Sequence, residues 1–150
     1  REFLSKQGIH GCTRDGCVRE HGKSIDIPTE VGEIDFLGYS ATDDLLVIAE
    51  CKMTENRMDP RFWKEDVAEY TGRKKSYAEK FWKKINWVQQ NRLALSRILV
   101  GDDKARQIAA VMFTLYPTFA AIHMKDFPCV SLAEFAAKME SNIHWPYQTL

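Results

Sequence analysis

No apolar run in this chain of 150 residues approaches the length of a membrane span, and no signal-peptide pattern opens it. Net charge is missing too, with 21 basic against 21 acidic residues, which argues against a protein that holds nucleic acid by overall charge. Cysteine is scarce: four residues, in no strong pairing pattern and with no secretory signal, place the chain in a reducing, cytoplasmic compartment. Internal repeats and low-complexity segments are absent as well. The first residue is Arg1 rather than Met, and residues 1–150 read as a single domain cut from a longer protein.

What is present is the composition of a soluble globular domain, 45% hydrophobic and 28% charged. The balanced charge is unevenly placed. Residues 1–59 carry 12 acids and 7 bases, and residues 60–92 carry 9 bases and 4 acids. Such a division can set a metal-binding pocket beside a phosphate-attracting wall, or it can be a solvated surface of mixed charge.

Two further readings compete near the start. His10, Cys12, Cys17 and His21 lie within twelve residues and invite a zinc site, although four residues between the cysteines is the wide end of structural zinc spacings. Alternatively, Thr13-Arg14-Asp15-Gly16 is a hairpin turn whose arms carry small, half-buried cysteines.

Short β-type runs fill residues 8–40, and the strongest strand spans 45–53. Asp59-Pro60 has the form of a helix start, Asp as N-cap and Pro in the first turn. Apolar residues then recur at Trp63, Val67, Tyr70, Tyr77, Phe81, Ile85, Val88, Leu95 and Leu99, in phase as on one helical face, with Gly72 a point of kinking or division. Ile108 to Leu115 predicts a strand, Phe119 to His123 a short second one, and Ser131-Leu132-Ala133-Glu134 a capping box that starts a last helix at Leu132. The order of elements is that of an α/β fold, a three-layer α/β/α sandwich about a central mixed sheet.

The apolar run Leu45 to Ala49 ends in Glu50-Cys51-Lys52. On a strand, Glu50 and Lys52 share a face with Leu46 and Ile48, while Cys51 and Met53 point away. The segment Gly32 to Leu37 is placed to pair antiparallel with this strand, bringing Asp35 near Glu50. Two neighbouring carboxylates repel unless a cation lies between them, and Mg²⁺ takes one or two carboxylates with waters and phosphate oxygens. A lysine amine beside such an ion can hold or deprotonate the attacking water, the requirement of phosphodiester hydrolysis. The acid-x-Lys pattern also occurs at Asp102-Asp103-Lys104, but in a polar loop, where it reads as solvated.

Gly32-Glu33-Ile34-Asp35 followed by Val47-Ile48-Ala49-Glu50-Cys51-Lys52 resembles the PD-(D/E)xK nuclease superfamily of restriction-endonuclease-like fold, in its Mrr-like and Holliday-junction-resolvase-like branches. Residues 109–139 resemble the strand–strand–helix that commonly closes that domain. The resemblance implies a metal-dependent DNA endonuclease, part of a restriction or defence system, using Mg²⁺ with Mn²⁺ as a substitute. Asp35, Glu50 and the Cys51 backbone carbonyl would hold the ion, and Lys52 would act on the water. Glu2 would be the extra glutamate that some branches take from the first helix, and Glu33 a substitute for Asp35. Ile34 stands where the motif's proline is nominal.

The segment "RKKSYAEKFWKK", 73–84, holds six bases and three aromatics. Arg73, Lys80 and Lys84 form a stripe beside the apolar one, suited to DNA phosphates, and Trp82 is either core edge or stacking platform. A homodimer, for paired cuts, and further domains of the parent protein are the other expected partners. The alternative is a nuclease-like module that binds nucleic acid or a partner without catalysis.

Overall fold

The computed structural model describes residues 2–53, 59–72, 75–142 and 144–150. Its strands are β1 (Ile9–Arg14), β2 (Cys17–Glu20), β3 (Lys23–Asp26), β4 (Ile34–Ser40), β5 (Leu45–Lys52), β6 (Ile108–Thr114) and β7 (Cys129–Ser131). The α-helices are α1 (Glu2–Lys6), α2 (Pro60–Thr71), α3 (Tyr77–Gln90), α4 (Arg92–Leu99) and α5 (Leu132–Ser141). Five strands form a mixed sheet in the order β1-β4-β5-β6-β7, antiparallel across β1, β4 and β5 and parallel across β5, β6 and β7. The strands β2 and β3 make a separate hairpin. Among the described residues no helix is long and apolar enough to cross a membrane.

The composition of β5 accounts for its central place. Leu45 to Glu50 are all buried, and successive side chains face opposite ways. Leu46 and Ile48 enter one apolar cluster with Tyr70 of α2, Phe81, Ile85 and Val88 of α3, and Leu95 of α4. Val47 and Ala49 enter a second with Leu4 of α1 and Phe135 and Met139 of α5. Helices thus cover the sheet on both sides, as a strand apolar on both faces requires. The first two sheet strands meet very closely at the register partners Gly11 and Gly38, where a Cβ on Gly38 would stand 2.3 Å from the His10 carbonyl oxygen.

The apolar stripe from Trp63 to Leu99 spans three helices rather than one. Gly72 ends α2, Ser76 caps α3 by accepting the Glu79 N–H, and Asn91 separates α3 from α4 while its amide donates to the Trp87 carbonyl. The periodicity survives because all three pieces contribute to the same cluster. Trp63 stacks instead on Phe119, ring centroids 4.7 Å apart.

Phe119–His123, expected as a strand, is a 3-10 helix. Thr118 Oγ1 accepts the Ala120 N–H directly after Pro117, which starts a turn rather than an extended run. The three-residue β7 takes the place next to β6. Thr13–Gly16 is not a hairpin turn either, since β1 pairs with β4 and β2 with β3; Gly16, at φ 67°, leads the chain out of the main sheet. The Asp59 cap and the Ser131–Glu134 capping box are both formed.

The opposite end of β5 is tied by charge. Asp44 accepts from Lys104, from Tyr39 and from Arg106 Nε at 2.6 Å. Arg106 is 4% exposed and forks onto Asp102 at 2.5 and 2.6 Å. The second acid-x-Lys triplet therefore reaches solvent but also belongs to this ion-pair cluster. Hydrogen bonds from Lys104, then Arg106, hold the Asp44 carboxyl well below the usual carboxylate range. The folded carboxyl ionises below its unfolded counterpart, so this contribution is present above about pH 4 and fades as pH falls further. Arg106→Met should lower the melting temperature by about 5 °C at pH 7, and the gap to the wild type should narrow toward pH 3. Equal melting curves at pH 7 would show that the cluster contributes nothing.

Candidate active site

Alternation at the end of β5 sends Glu50 and Lys52 to the side covered by α3 and Cys51 to the other side. Glu50 is 3% exposed, and each carboxylate oxygen accepts from a different amine: Oε1 from Lys52 Nζ and Oε2 from Lys84 Nζ, both at 2.5 Å. The Lys52 side chain is 20% exposed, and its amine also lies 4.9 Å from the centre of the Tyr77 ring. Lys84 is 8% exposed. A carboxylate this deep must be compensated; here two cations attend one anion.

The helix α3 explains the second amine. Tyr77, Phe81, Lys84 and Val88 recur at steps of four, three and four, so they share one face. Lys84 therefore stands inside the apolar stripe, not in a basic stripe beside it. Its expected role as a DNA contact is corrected: it faces the sheet and Glu50. The signal was a lysine seven residues after Tyr77 and four before Val88, a core position filled by a charge. Lys80 is exposed, 5.9 Å from the Tyr77 ring centre, and Arg73 lies outside the described residues. Trp82 packs edge-on against Phe127 and donates to Asp126 at 3.3 Å, which makes it core edge.

Asp35 reaches the same strand end from β4. Its Oδ2 accepts the Cys51 N–H at 2.7 Å, and its carbonyl accepts from the Thr13 hydroxyl. Ile34 and Leu37, three residues apart, both enter the cluster on the α3 side, whereas Phe36 enters the other. The alternation therefore slips by one at Asp35 and Phe36, beside a register shift in β1 between Cys12 and Arg14. In consequence Asp35 and Glu50 flank the Cys51 peptide from the two sides of the sheet. Asp35 borders a cavity of about 290 Å³ shared with Phe3, Leu4, Cys12, Phe36 and Cys51. Desolvation, then the Asp35 and Glu50 carboxylates, push the Cys51 thiol above its ordinary value.

Glu33 is exposed just ahead of β4, and Glu2 is exposed in α1, whose Phe3 and Leu4 line that cavity. His10 and Cys12 belong to β1, Cys17 to β2, and His21 to the turn that follows. Among the described residues, no group of three His, Cys, Asp or Glu side chains is arranged to hold a metal ion. Around the Cys51 peptide the donors are hard oxygens, two carboxylates and a carbonyl. Those donor types fit Mg²⁺, which needs few protein ligands and keeps several waters, on condition that an amine gives way at Glu50 and that Asp35 turns to the same side. Thr114, in register with Lys52 on β6, is buried with its hydroxyl unpartnered among the described residues, and sequence reasoning had not included it.

No family model, no curated protein and no solved structure matches the chain.

Glu50→Ala would leave the Lys84 ammonium buried without its anion. It should cost about 3 kcal/mol in urea unfolding, and adding Lys84→Met should recover most of the loss. Independent, additive effects of the two changes would contradict the coupling.

Proposed function

We propose that the chain is a metal-dependent endonuclease domain of restriction-endonuclease-like architecture, hydrolysing phosphodiester bonds in DNA with Mg²⁺, and with Mn²⁺ as a substitute. The observation that carries this reading is the hydrogen bond from the Cys51 N–H to Asp35, at 2.7 Å. It sets a carboxylate beside the backbone of the one residue that separates Glu50 from Lys52, at the end of the central strand. Helices on both faces of a mixed sheet agree with the architecture.

Asp35, Glu50 and the Cys51 carbonyl are the residues that would hold the ion. A bound divalent ion supplies charge for the leaving oxygen and acidity for water. Lys52, the more exposed of the two amines at Glu50, is assigned to orient the attacking water by donating to it. Lys80 and Arg73 are assigned to DNA phosphates, whose binding weakens as salt rises.

A second reading, a nucleic-acid-binding module without chemistry, draws on one observation. Both Glu50 oxygens and Asp35 Oδ2 already accept N–H donors, so the fold is satisfied without an ion. Cleavage of supercoiled plasmid in Mg²⁺ separates the two. The wild type should nick DNA, and Asp35→Ala, Glu50→Gln and Lys52→Ala should each lower the rate about a hundredfold or more. Activity surviving all three substitutions would reject the assignment, and DNA binding without metal uptake or cleavage would favour the second reading.

A further inference from the structure

We infer that Lys84 is a positioning residue of this site: it holds one oxygen of Glu50 so that the other is presented to the metal. The inference rests on the nuclease reading above. Neutralising Glu50 takes one ammonium, yet two are bound, both at 2.5 Å. The second comes from a helix face that is otherwise apolar, where Phe81, Ile85 and Val88 surround its position in sequence and are fully buried. A buried ion pair stabilises no better than apolar residues of the same volume, so packing alone does not call for a lysine there.

The two amines differ in freedom. Lys52 has a second place to rest, over the Tyr77 ring and toward solvent. Lys84 is held by the packed face of α3, with a side chain 10% exposed. When Glu50 takes a cation other than lysine, Lys52 is therefore the amine that withdraws from Oε1. Lys84 stays on Oε2. The carboxylate is left with a single free oxygen at the strand end, beside the Cys51 peptide and Asp35. Lys84 thus fixes the rotation of Glu50 and limits it to one oxygen for the ion.

This predicts opposite effects on binding and turnover. With Lys84→Met, Glu50 can turn both oxygens to the ion, and Lys52, which has a second place to rest, is the one cation of the pair left to compete. Mn²⁺, titrated against free-ion paramagnetic resonance without DNA, should bind about tenfold more tightly than to the wild type. Plasmid cleavage at saturating Mn²⁺ should fall about a hundredfold. Lys84→Arg, which keeps donor and charge, should stay near the wild type in affinity. A merely structural lesion would weaken both properties together. Mn²⁺ affinity equal to or weaker than that of the wild type, in a Lys84→Met protein that melts cooperatively, would overturn the inference while leaving the nuclease reading intact. Should that variant not fold, Lys84→Gln replaces it, and no gain in Mn²⁺ affinity there would overturn the inference equally. Failure of every folded protein to take up Mn²⁺ would instead remove the nuclease reading, and this inference with it.

Discussion

A carboxylate buried to 3% exposure, with an amine on each oxygen, ties the end of the central strand to the helix that covers it. Neither partner can be placed independently of the other. Glu50 would be too costly to bury without its ammonium ions, and Lys84 could not occupy a core position of α3 without an acid opposite. The pair therefore sets how α3 lies along β5, and it determines where the apolar sheet gives way to polar chemistry. Up to Ala49 both faces of the strand are packed with hydrocarbon; one residue later they are not.

Topology gathers the remaining polar groups at the same edge. β5 and β6 run parallel, so Lys52 and Thr114 finish side by side. β4 runs the other way, so its beginning, with Asp35, arrives where β5 ends. Open α/β sheets place ligands at the carboxyl ends of their parallel strands for this reason. The slip at Asp35 and Phe36 adds a refinement: the two acids lie on opposite sides of the strand end rather than facing each other, Asp35 held by the Cys51 N–H and Glu50 by the two amines.

Much of this was legible from local pattern. The run into Glu50-Cys51-Lys52, an antiparallel strand just before it (paired through Phe36–Ser40 rather than across Gly32–Leu37), the Asp59 cap and the Ser131 capping box all depend on neighbours a few residues apart, which a sequence displays directly. The failures have physical causes of a different kind. Phe119–His123 is apolar enough for a strand, but a hydroxyl cap after Pro117 turned it into a helical turn. The irregularity that rotates Asp35 depends on how β1 meets β4, more than twenty residues away. Lys84 was misread because a lysine is ordinarily taken as solvated; its position in the stripe outweighed its charge once Glu50 was there to receive it.

The most direct measurement is the anomalous scattering of Mn²⁺ in crystals of the protein soaked with that ion. The account predicts a peak at the end of β5 within coordinating distance of one Glu50 oxygen, with Asp35 turned toward it, Lys52 withdrawn and Lys84 still on the other oxygen. A fully soaked crystal with no peak there, and both amines still bound to Glu50, would contradict it.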